Sequence, residues 1–340
     1  MTPSSRTSIR LDNLTHSLVG VLLGRAGLDR LTPRATWILL LAANAPDVDV
    51  VSALGGSINM LHYHRHITHA LVAIPVLPLL CVLLVRFVSR KPLNWAGAYV
   101  AALVAVASHV ILDLTNTYGV RLLLPFSGTW FHWDITNVFD FWIWGVLLLA
   151  LSAPVLARLV NAEIGVSRQS KNSARRGFAI FALVFIALYN GARSVTHARA
   201  AAMLDSRTYS GEPPRRVGAF PGPANPFRWH GLAETSAAVS IQNVDLFGEF
   251  NPASGRTFYK PEPSRAIDLA RATPVFHEFL RFSQYPFWQL TPAEQLEGAT
   301  RVEVVDLRFG DPQDPGFVAT AIVDAHQHVQ SAWFQFGRPK

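Results

Sequence analysis

The sequence predicts a mainly α-helical fold, in which a multi-pass helical membrane domain precedes a smaller soluble domain of mixed, mostly β structure. Half of the 340 residues are hydrophobic and only 16% are charged, which is unusual for a soluble protein. No Asp, Glu, Lys or Arg occurs between Leu93 and Leu112, as in a helix that crosses a bilayer. After residue 194, prolines and glycines become frequent and no run is apolar enough to span. We therefore divide the chain into 1–194 and 195–340.

Four apolar runs predict membrane helices, each close to or slightly shorter than the roughly 20 residues that cross a bilayer. They are 70–85, 95–112, 141–157 and 177–189. Two shorter runs, 14–28 and 35–45, contain polar residues or end at Pro46, so each is a short span, a half-buried helix or a re-entrant segment. A cleaved signal peptide is not expected, because 18–24 is followed by Arg25 and not by a small-residue cleavage site.

Basic residues in the short connections predict the orientation of the membrane domain. If all six segments span, one side receives eleven basic residues and the other receives four. The larger group consists of Arg25, Arg30, Arg34, Arg86, Arg90, Lys91, Arg158, Arg168, Lys171, Arg175 and Arg176. The positive-inside rule places this group in the cytoplasm. Domain 195–340 would then be extracytoplasmic, provided that both short segments span.

Alternation of apolar and polar residues predicts strands in the second domain. The runs 301–309, 317–325 and 329–336 form a predicted antiparallel meander, with Asp-Pro turns between the first two. The run 235–247 is predicted to be another strand of the same sheet. Residues 195–340 are therefore expected to form an α+β domain.

Charge and cysteine content exclude other classes of protein. The net charge is +7, but the basic residues lie in clusters between apolar runs, as orienting loop charges do. We therefore expect membrane lipids and no nucleic acid as partners. The single cysteine, Cys81, lies inside an apolar run, which excludes an intramolecular disulfide and a zinc ribbon.

Histidines and aspartates are grouped in four short motifs of the first domain, at 13–16, 46–49, 62–69 and 108–113. Histidine and carboxylate side chains are ligands of zinc and other first-row divalent metals. If all six segments span, the four motifs lie at the outer ends of their segments. Ionisable groups near membrane depth are costly and generally functional, so the motifs predict one shared site.

The spacing within two of the motifs suits metal binding but also permits a structural role. His109 and Asp113 are four residues apart, so on a helix they share a face on which they bind one ion or each other. Asn116 continues that face. Asp47 and Asp49 follow a proline at the end of an apolar run, where they bridge two cations or form a solvated turn.

The histidine-rich segment 62–69 is the most specific motif. Its four histidines cannot all lie on one helical face, and they directly precede an apolar run. Arg65 has a planar guanidinium that suits an anionic substrate, or it is a counter-ion of Asp47 or Asp49. His16 by itself suits a core or interfacial histidine, and only the neighbouring motifs make it a candidate ligand.

Other polar residues receive structural interpretations. His132 and Asp134 lie beside tryptophans and are predicted to belong to an interfacial aromatic belt, and Asp140 is a ligand or an anchor. The later histidines are predicted to lie at the surface; they are His197, His230, His277, His326 and His328.

The four motifs in this order, followed by Leu-Pro-Phe at 124–126, resemble the YdjM-like family of membrane proteins described as metal-dependent hydrolases. The resemblance covers residues 11–190 and implies a multi-pass inner-membrane protein with distant similarity to zinc-dependent phospholipases C and zinc nucleases. It implies six metal ligands, which are His16, Asp47, His64, His69, His109 and Asp113. Asp49, Arg65 and Asn116 match further motif positions.

Together these observations predict a hydrolase with one or more divalent ions, preferably Zn²⁺. Its expected substrate is a lipid or another envelope ester, in particular a phosphoester. Asp49 is the expected general base and Arg65 the group that holds substrate charge, with Asn116 as a further catalytic candidate.

The alternatives are a metal sensor, a scaffold with a structural cluster, or a transporter. Transport is disfavoured because 70–85 and 95–108 contain no ionisable residue other than Cys81 and Tyr99. Domain 195–340 could also bind an unidentified protein partner, under any of these interpretations.

Overall fold

The computed structural model describes residues 3–163, 171–294 and 296–337. Seven α-helices precede the first strand in these ranges. They are α1 (Pro3–Ala26), α2 (Ala35–Asn44), α3 (Ser57–Tyr63), α4 (Val76–Ser89), α5 (Trp95–Thr115), α6 (Phe141–Glu163) and α7 (Lys171–Asp205). Two 3₁₀ segments, Pro46–Gly55 and Ile67–His69, lie on either side of α3.

Two of the described helices are long and apolar enough to cross a membrane, namely α5 and the portion Ala174–Asp205 of α7. The pair formed by α2 and Pro46–Gly55 passes the same test as one unit but is bent by 47°. Two further apolar helices, α4 and Phe141–Leu156 of α6, are shorter. The helices predicted at 95–112, 141–157 and 177–189 therefore lie within α5, α6 and α7.

The predicted helix 70–85 begins later than expected. Residues 71–75 form turns and α4 begins at Val76. Pro75 disfavours helical geometry at the preceding residue, and the Leu71 amide donates to the carbonyl of Leu122 at 2.9 Å. This segment is thus tied to the connection after α5 instead of extending α4.

The two short apolar runs are packed helices. Run 14–28 lies mostly in α1, where Leu22 is fully buried, and run 35–45 forms α2 before the chain bends at Pro46. Gly20 allows α1 and α2 to approach closely, because a Cβ at that position would lie 3.0 Å from the Cβ of Ala43. Fully buried alanines of α5 pack against α2 and permit a similarly close contact; they are Ala98, Ala101, Ala102 and Ala105.

Large apolar side chains face outward on the helices. On α4, Leu79, Leu83 and Phe87 are between 44% and 78% exposed, and on α7, Leu188 and Val195 are about 70% exposed. Contiguous apolar surface of this kind is unfavourable in water and marks a protein or membrane contact. These faces agree with a lipid environment around the helical domain.

The basic connections lie at one end of this helical domain. Arg176 near the start of α7 donates to the carbonyl of Ala26 at the end of α1, at 3.0 Å. Asn94, just before α5, donates to the carbonyl of Leu31 between α1 and α2, at 3.1 Å. The start of α7 therefore lies near the end of α1, and the connection before α5 lies near the connection between α1 and α2. Arg168 lies outside the described residues.

The described residues after α7 form two antiparallel sheets, and two helices lie between the sheets along the chain. The first sheet contains β1 (Arg216–Pro221), β2 (Arg228–Glu234), β3 (Ala238–Asp245) and β4 (Arg256–Tyr259). The second contains β5 (Pro286–Pro292), β6 (Thr300–Asp306), β7 (Phe317–Val323) and β8 (Val329–Phe336). Helices α8 (Arg265–Arg271) and α9 (Pro274–Phe282) separate them along the chain.

The predicted meander is confirmed, since β6, β7 and β8 are consecutive antiparallel neighbours. The prediction that 235–247 belongs to the same sheet is wrong. Its strand, β3, pairs with β2 and β4 in the first sheet. Short connections pair β3 with its neighbours in sequence, whereas side-chain alternation identifies a strand without identifying its partner.

Helix α7 continues through residue 195 and ends at Asp205, and β1 begins at Arg216. Ala200 and Leu204 near its end pack against Trp229 and Val244 of the first sheet. The change in composition near residue 195 therefore lies within a helix that joins the helical and sheet-containing parts of the chain.

Candidate metal centre

The four His and Asp motifs converge at the end of the helical domain opposite the basic connections. The last turns of α5 carry His109 and Asp113, and the 3₁₀ segment after α2 carries Asp47 and Asp49. His69 ends the 3₁₀ segment that precedes α4. Because α2 and α5 pack side by side, their carboxyl ends bring these residues together.

Four ligand atoms surround one point. The Nε2 atom of His69 lies 3.2 Å from His109 Nε2, 3.2 Å from Asp113 Oδ2 and 3.5 Å from Asp47 Oδ1. His109 Nε2 lies 3.3 Å from Asp113 Oδ2 and 3.6 Å from Asp47 Oδ1. Zinc bonds to nitrogen and oxygen of about 2.0–2.1 Å imply tetrahedral edges of roughly 3.3–3.4 Å. These five distances are close to those edges, as binding of one tetrahedral ion requires.

The charges of the cluster also favour a cation. Asp47, Asp49 and Asp113 are opposed by one arginine, Arg65, and buried charge without compensation is costly. Burial alone would lower the pKa of His69, but hydrogen bonds with the three aspartates raise it well above the ordinary histidine value. The surroundings of His69 therefore stabilise positive charge, and a divalent ion would supply that charge.

Hydrogen bonds orient both histidines of this set. His109 Nδ1 lies 2.7 Å from the carbonyl of Ala43, which can only accept, so Nδ1 carries the proton and the lone pair is on Nε2. His69 Nδ1 lies 3.2 Å from Asp49 Oδ2 and 3.1 Å from Thr68 Oγ1. Such outer partners are typical of metal-binding histidines.

A second ligand group consists of Asp47, Asp49 and His64, and it shares Asp47 with the first. Asp49 Oδ1 lies 2.9 Å from His64 Nδ1. Asp49 Oδ2 accepts from the Arg65 amide at 2.9 Å and from Thr68 Oγ1 at 2.6 Å. Asp49 therefore either orients His64 or joins it in holding a second ion.

Arg65 is directed into the protein and not toward solvent. It is 1% exposed, and Nη2 lies 2.9 Å from Asp113 Oδ1. Nη1 donates to Asn116 Oδ1 at 2.9 Å and to the Gly119 carbonyl at 3.3 Å. The sequence predicted a substrate-binding group or a counter-ion of Asp47 or Asp49, and the structure shows an ion pair with Asp113.

His16 lies beside the first ligand group. Its Nε2 is 3.3 Å from Asp113 Oδ1, the oxygen that also faces Arg65, and its ring stacks on His109 with centroids 3.7 Å apart. A cavity of about 20 Å³ borders His16 and Asp113, which is room for one water molecule.

The remaining histidines of the segment 62–69 point away from the cluster. His62 Nδ1 lies 2.6 Å from Glu278 of α9, and the His66 ring lies 5.6 Å from that of His62. Burial, together with Arg121 and His62, lowers the pKa of His66 to about 4. The segment therefore divides between the metal cluster and the C-terminal domain. Its spacing predicted only that the four histidines cannot share one helical face.

Asp140 is an anchor. Its Oδ1 accepts from the amides of Trp142 and Ile143 at 3.0 and 3.2 Å, which caps α6, and Oδ2 accepts from Tyr189 at 3.1 Å. His132 pairs with Asp134 at 2.7 Å, outside both ligand groups.

The surface prediction is confirmed for His277, His326 and His328, which are exposed. It is wrong for two histidines that are half-buried. His230 lies 3.3 Å from the Leu307 carbonyl, and His197 packs on Trp229. Each of these two histidines contacts a residue of another element, and the sequence pattern of a single strand or helix does not reveal such a contact.

Comparisons with known proteins agree with this organisation. A sequence profile described as YdjM inner membrane protein matches residues 11–200, and one described as the YfhP C-terminal alpha/beta plait domain matches residues 265–336. The inner membrane protein YbcI of Escherichia coli (strain K12) is 33% identical over 134 residues, which are 38% of this chain and 76% of that protein.

The uncharacterized protein YfhP of Bacillus subtilis (strain 168) is 28% identical over 138 residues, which are 38% of this chain and 42% of that protein. The aligned region is thus less than half of this relative. No solved structure matches the chain significantly.

The family match includes all four His and Asp motifs and covers more than half of the chain. It confirms the resemblance that the order of the motifs predicted, and the relative YbcI is itself described as an inner membrane protein. The chain therefore belongs to the YdjM inner membrane protein family.

Proposed function

We propose that this chain is a metal-dependent hydrolase that acts on an ester or phosphoester at the outer face of the inner membrane. The observation that carries the proposal is that Asp47 belongs to both ligand groups. Two-ion sites hold their ions about 3.5–4 Å apart and supply Lewis-acid activation of water and of the scissile group. One shared carboxylate spans such a distance, and the His and Asp donors favour zinc.

The ligand residues would be divided between two ions. His69, His109 and Asp113 would hold the inner ion with Asp47, whereas His64 and Asp49 would hold or orient an outer one. The side chains of His64 and Asp49 are 7% exposed, compared with 0–2% for the inner group. A substrate would therefore meet the outer group first, where Asp49 is the candidate proton acceptor.

Arg65 and Asn116 would assist indirectly. Arg65 contacts Asp113 at 2.9 Å and is buried, so it would orient this ligand and moderate the negative charge of the cluster. Asn116 would hold the guanidinium of Arg65 in place.

The membrane setting supports a lipid or envelope substrate. We propose a multi-pass arrangement in which the basic end faces the cytoplasm, according to the positive-inside rule. The metal cluster and the C-terminal domain would then face outward, next to the head groups of the outer leaflet. We propose membrane lipids as partners and expect no binding of nucleic acid.

The proposal is tested with the full chain purified in detergent. Wild type should contain about two ions per chain and should hydrolyse members of a panel of phosphodiesters and phospholipid vesicles supplied with zinc or manganese. Asp47→Asn should lose metal and turnover. Asp140→Asn should retain both, because asparagine also caps helices and Asp140 is not a ligand. If wild type binds two ions but hydrolyses no substrate of the panel, the proposal that the chain is a hydrolase is refuted.

A second candidate is a non-catalytic metal-binding protein, either a sensor or a scaffold. The first ligand group favours this candidate, because it offers four protein ligands to one ion and leaves no open position, as is typical of structural sites. Under this alternative wild type would contain about one ion per chain and show no metal-dependent hydrolysis. The metal stoichiometry and the activity panel together separate the two functions.

A further inference from the structure

We propose that Arg308 of the C-terminal domain is a positioning residue for the metal cluster. It acts on Asp113 through the loop 116–119 and Arg65. This inference rests on the metal binding of the proposed function, and it assigns to the C-terminal domain a role in completing the site.

The first step is the contact between Arg308 and the loop. The Arg308 side chain is fully buried, and it donates to both carboxylate oxygens of Asp306, from Nε to Oδ1 at 3.1 Å and from Nη2 to Oδ2 at 2.7 Å. Nη1 donates to the Thr117 carbonyl at 2.9 Å. A buried guanidinium is held firmly when it is paired in this bidentate way, so Arg308 fixes the position of Thr117 from the C-terminal domain.

The second step is the conformation of the loop. Asn116 Oδ1 accepts from the amides of Tyr118 and Gly119 at 3.0 and 3.2 Å and from Arg65 Nη1 at 2.9 Å. Gly119 has φ +80, and a Cβ there would lie 2.6 Å from the Phe131 carbonyl. Because the Gly119 carbonyl also accepts from Arg65, the loop supplies two acceptors that hold this guanidinium.

The third step is the contact of Arg65 with the metal ligand. Nη2 lies 2.9 Å from Asp113 Oδ1, and the other oxygen of Asp113 belongs to the inner ligand group. The side chains of Arg65, Asp113 and Arg308 are all at most 1% exposed. Hydrogen bonds in such a low-dielectric interior depend strongly on each other.

Aromatic packing fixes the same loop independently. The Tyr118 ring lies 4.8 Å from Phe282 and 6.1 Å from Phe317 of the C-terminal domain. On its other side it lies 5.7 Å from the ring of His64 and 5.0 Å from the guanidinium of Arg65. Docking of the C-terminal domain and order of the metal cluster therefore share one loop.

The test compares two buried arginines at the junction between the helical and sheet-containing parts. Arg193 donates to the Ile135 carbonyl at 2.7 Å and lies 3.9 Å over the Trp229 ring. It has no hydrogen bond to residues 116–119 among the described contacts. Arg193→Met is thus the control for Arg308→Met, since both remove a buried guanidinium of similar size.

The full chain in detergent is titrated with Co²⁺, and the absorption spectrum of the bound ion and the competition with a chelator are recorded. Outer-shell changes typically weaken metal binding by 10–100-fold. We expect Arg308→Met to lose at least about tenfold in affinity and to alter the Co²⁺ spectrum. Arg308→Lys should recover part of this loss, and Arg193→Met should retain the wild-type spectrum and affinity.

Thermal unfolding of each variant establishes that it is folded. If Arg308→Met does not fold, Arg308→Lys carries the test, with an intermediate affinity and spectrum expected. Wild-type affinity and spectrum in a folded Arg308 variant would overturn the inference. An equal loss in Arg193→Met would also overturn it, because the effect would then be general to the junction. Failure of wild type to bind Co²⁺ would instead refute the proposed function.

Discussion

At the scale of single residues, the cluster shows how neighbouring groups prepare a side chain for a metal ion. The backbone carbonyl of Ala43 determines the tautomer of His109, and Asp49 does the same for one nitrogen of His69. Arg65 occupies one oxygen of Asp113 and leaves the other for the ligand group. These three ligands are therefore oriented before an ion arrives, which reduces the entropic cost of binding.

Asp113→Asn should reduce zinc affinity by more than the 10–100-fold that is typical of outer-shell changes. The substitution keeps the shape of the side chain but removes the charge that the ion and Arg65 both require. Chelator competition on the purified protein measures the affinity. Asp134→Asn is the control, because Asp134 is also buried but pairs with His132. Equal zinc affinity in wild type and Asp113→Asn would contradict the ligand assignment.

At the scale of elements, close helix packing determines where the ligands meet. The carboxyl ends of α2 and α5 lie side by side because small residues line their contact, and α1 adds His16 through its close approach at Gly20. The bend at Pro46 then turns Asp47 toward α5 instead of continuing α2. Helix proximity of this kind converts separate motifs into one site.

Gly20→Leu should destabilise the protein by about 1–3 kcal/mol, the usual effect of overpacking. The new side chain would meet the Cβ of Ala43 and the carbonyl of Leu39, and it would displace α1 together with His16. Denaturant unfolding in detergent measures the change, and metal content should fall in parallel.

The matched control is Gly145→Leu on α6, where a Cβ added to the glycine would have no neighbouring atom within 4 Å. This exposed substitution should not destabilise the protein, because leucine favours a helix over glycine by up to about 1 kcal/mol. Equal effects at the two glycines would show that helix packing at Gly20 is not the cause.

At the scale of the whole molecule, the helical domain has two different ends. The basic connections share one end, and the metal cluster with the docked C-terminal domain occupies the other. An asymmetric molecule of this kind has a defined orientation in the membrane if the positive-inside rule applies. Under the proposed function, the orientation would also decide which compartment supplies the substrate.

Cysteine labelling should place the two ends on opposite sides of the membrane. In a background that lacks Cys81, Asp29→Cys between α1 and α2 should react only when the cytoplasm is accessible, and Ser254→Cys should react from outside. Both native side chains are exposed, so the reagent can reach them. Labelling of both positions from the same side would contradict the proposed topology.

The sequence by itself predicted the helical and β-rich parts, the meander and the identity of the clustered motifs. Those features depend on local periodicity and on residue type, which are properties of the chain alone. Tertiary structure decided the ion pair of Arg65 with Asp113, the place of His16 beside Asp113 and the sheet that contains β3. Each depends on which distant segments approach one another, and a buried charge or strand selects its partner only through that approach. The contact of Arg308 with Thr117 joins residues 191 positions apart, and no local pattern in the sequence indicates it.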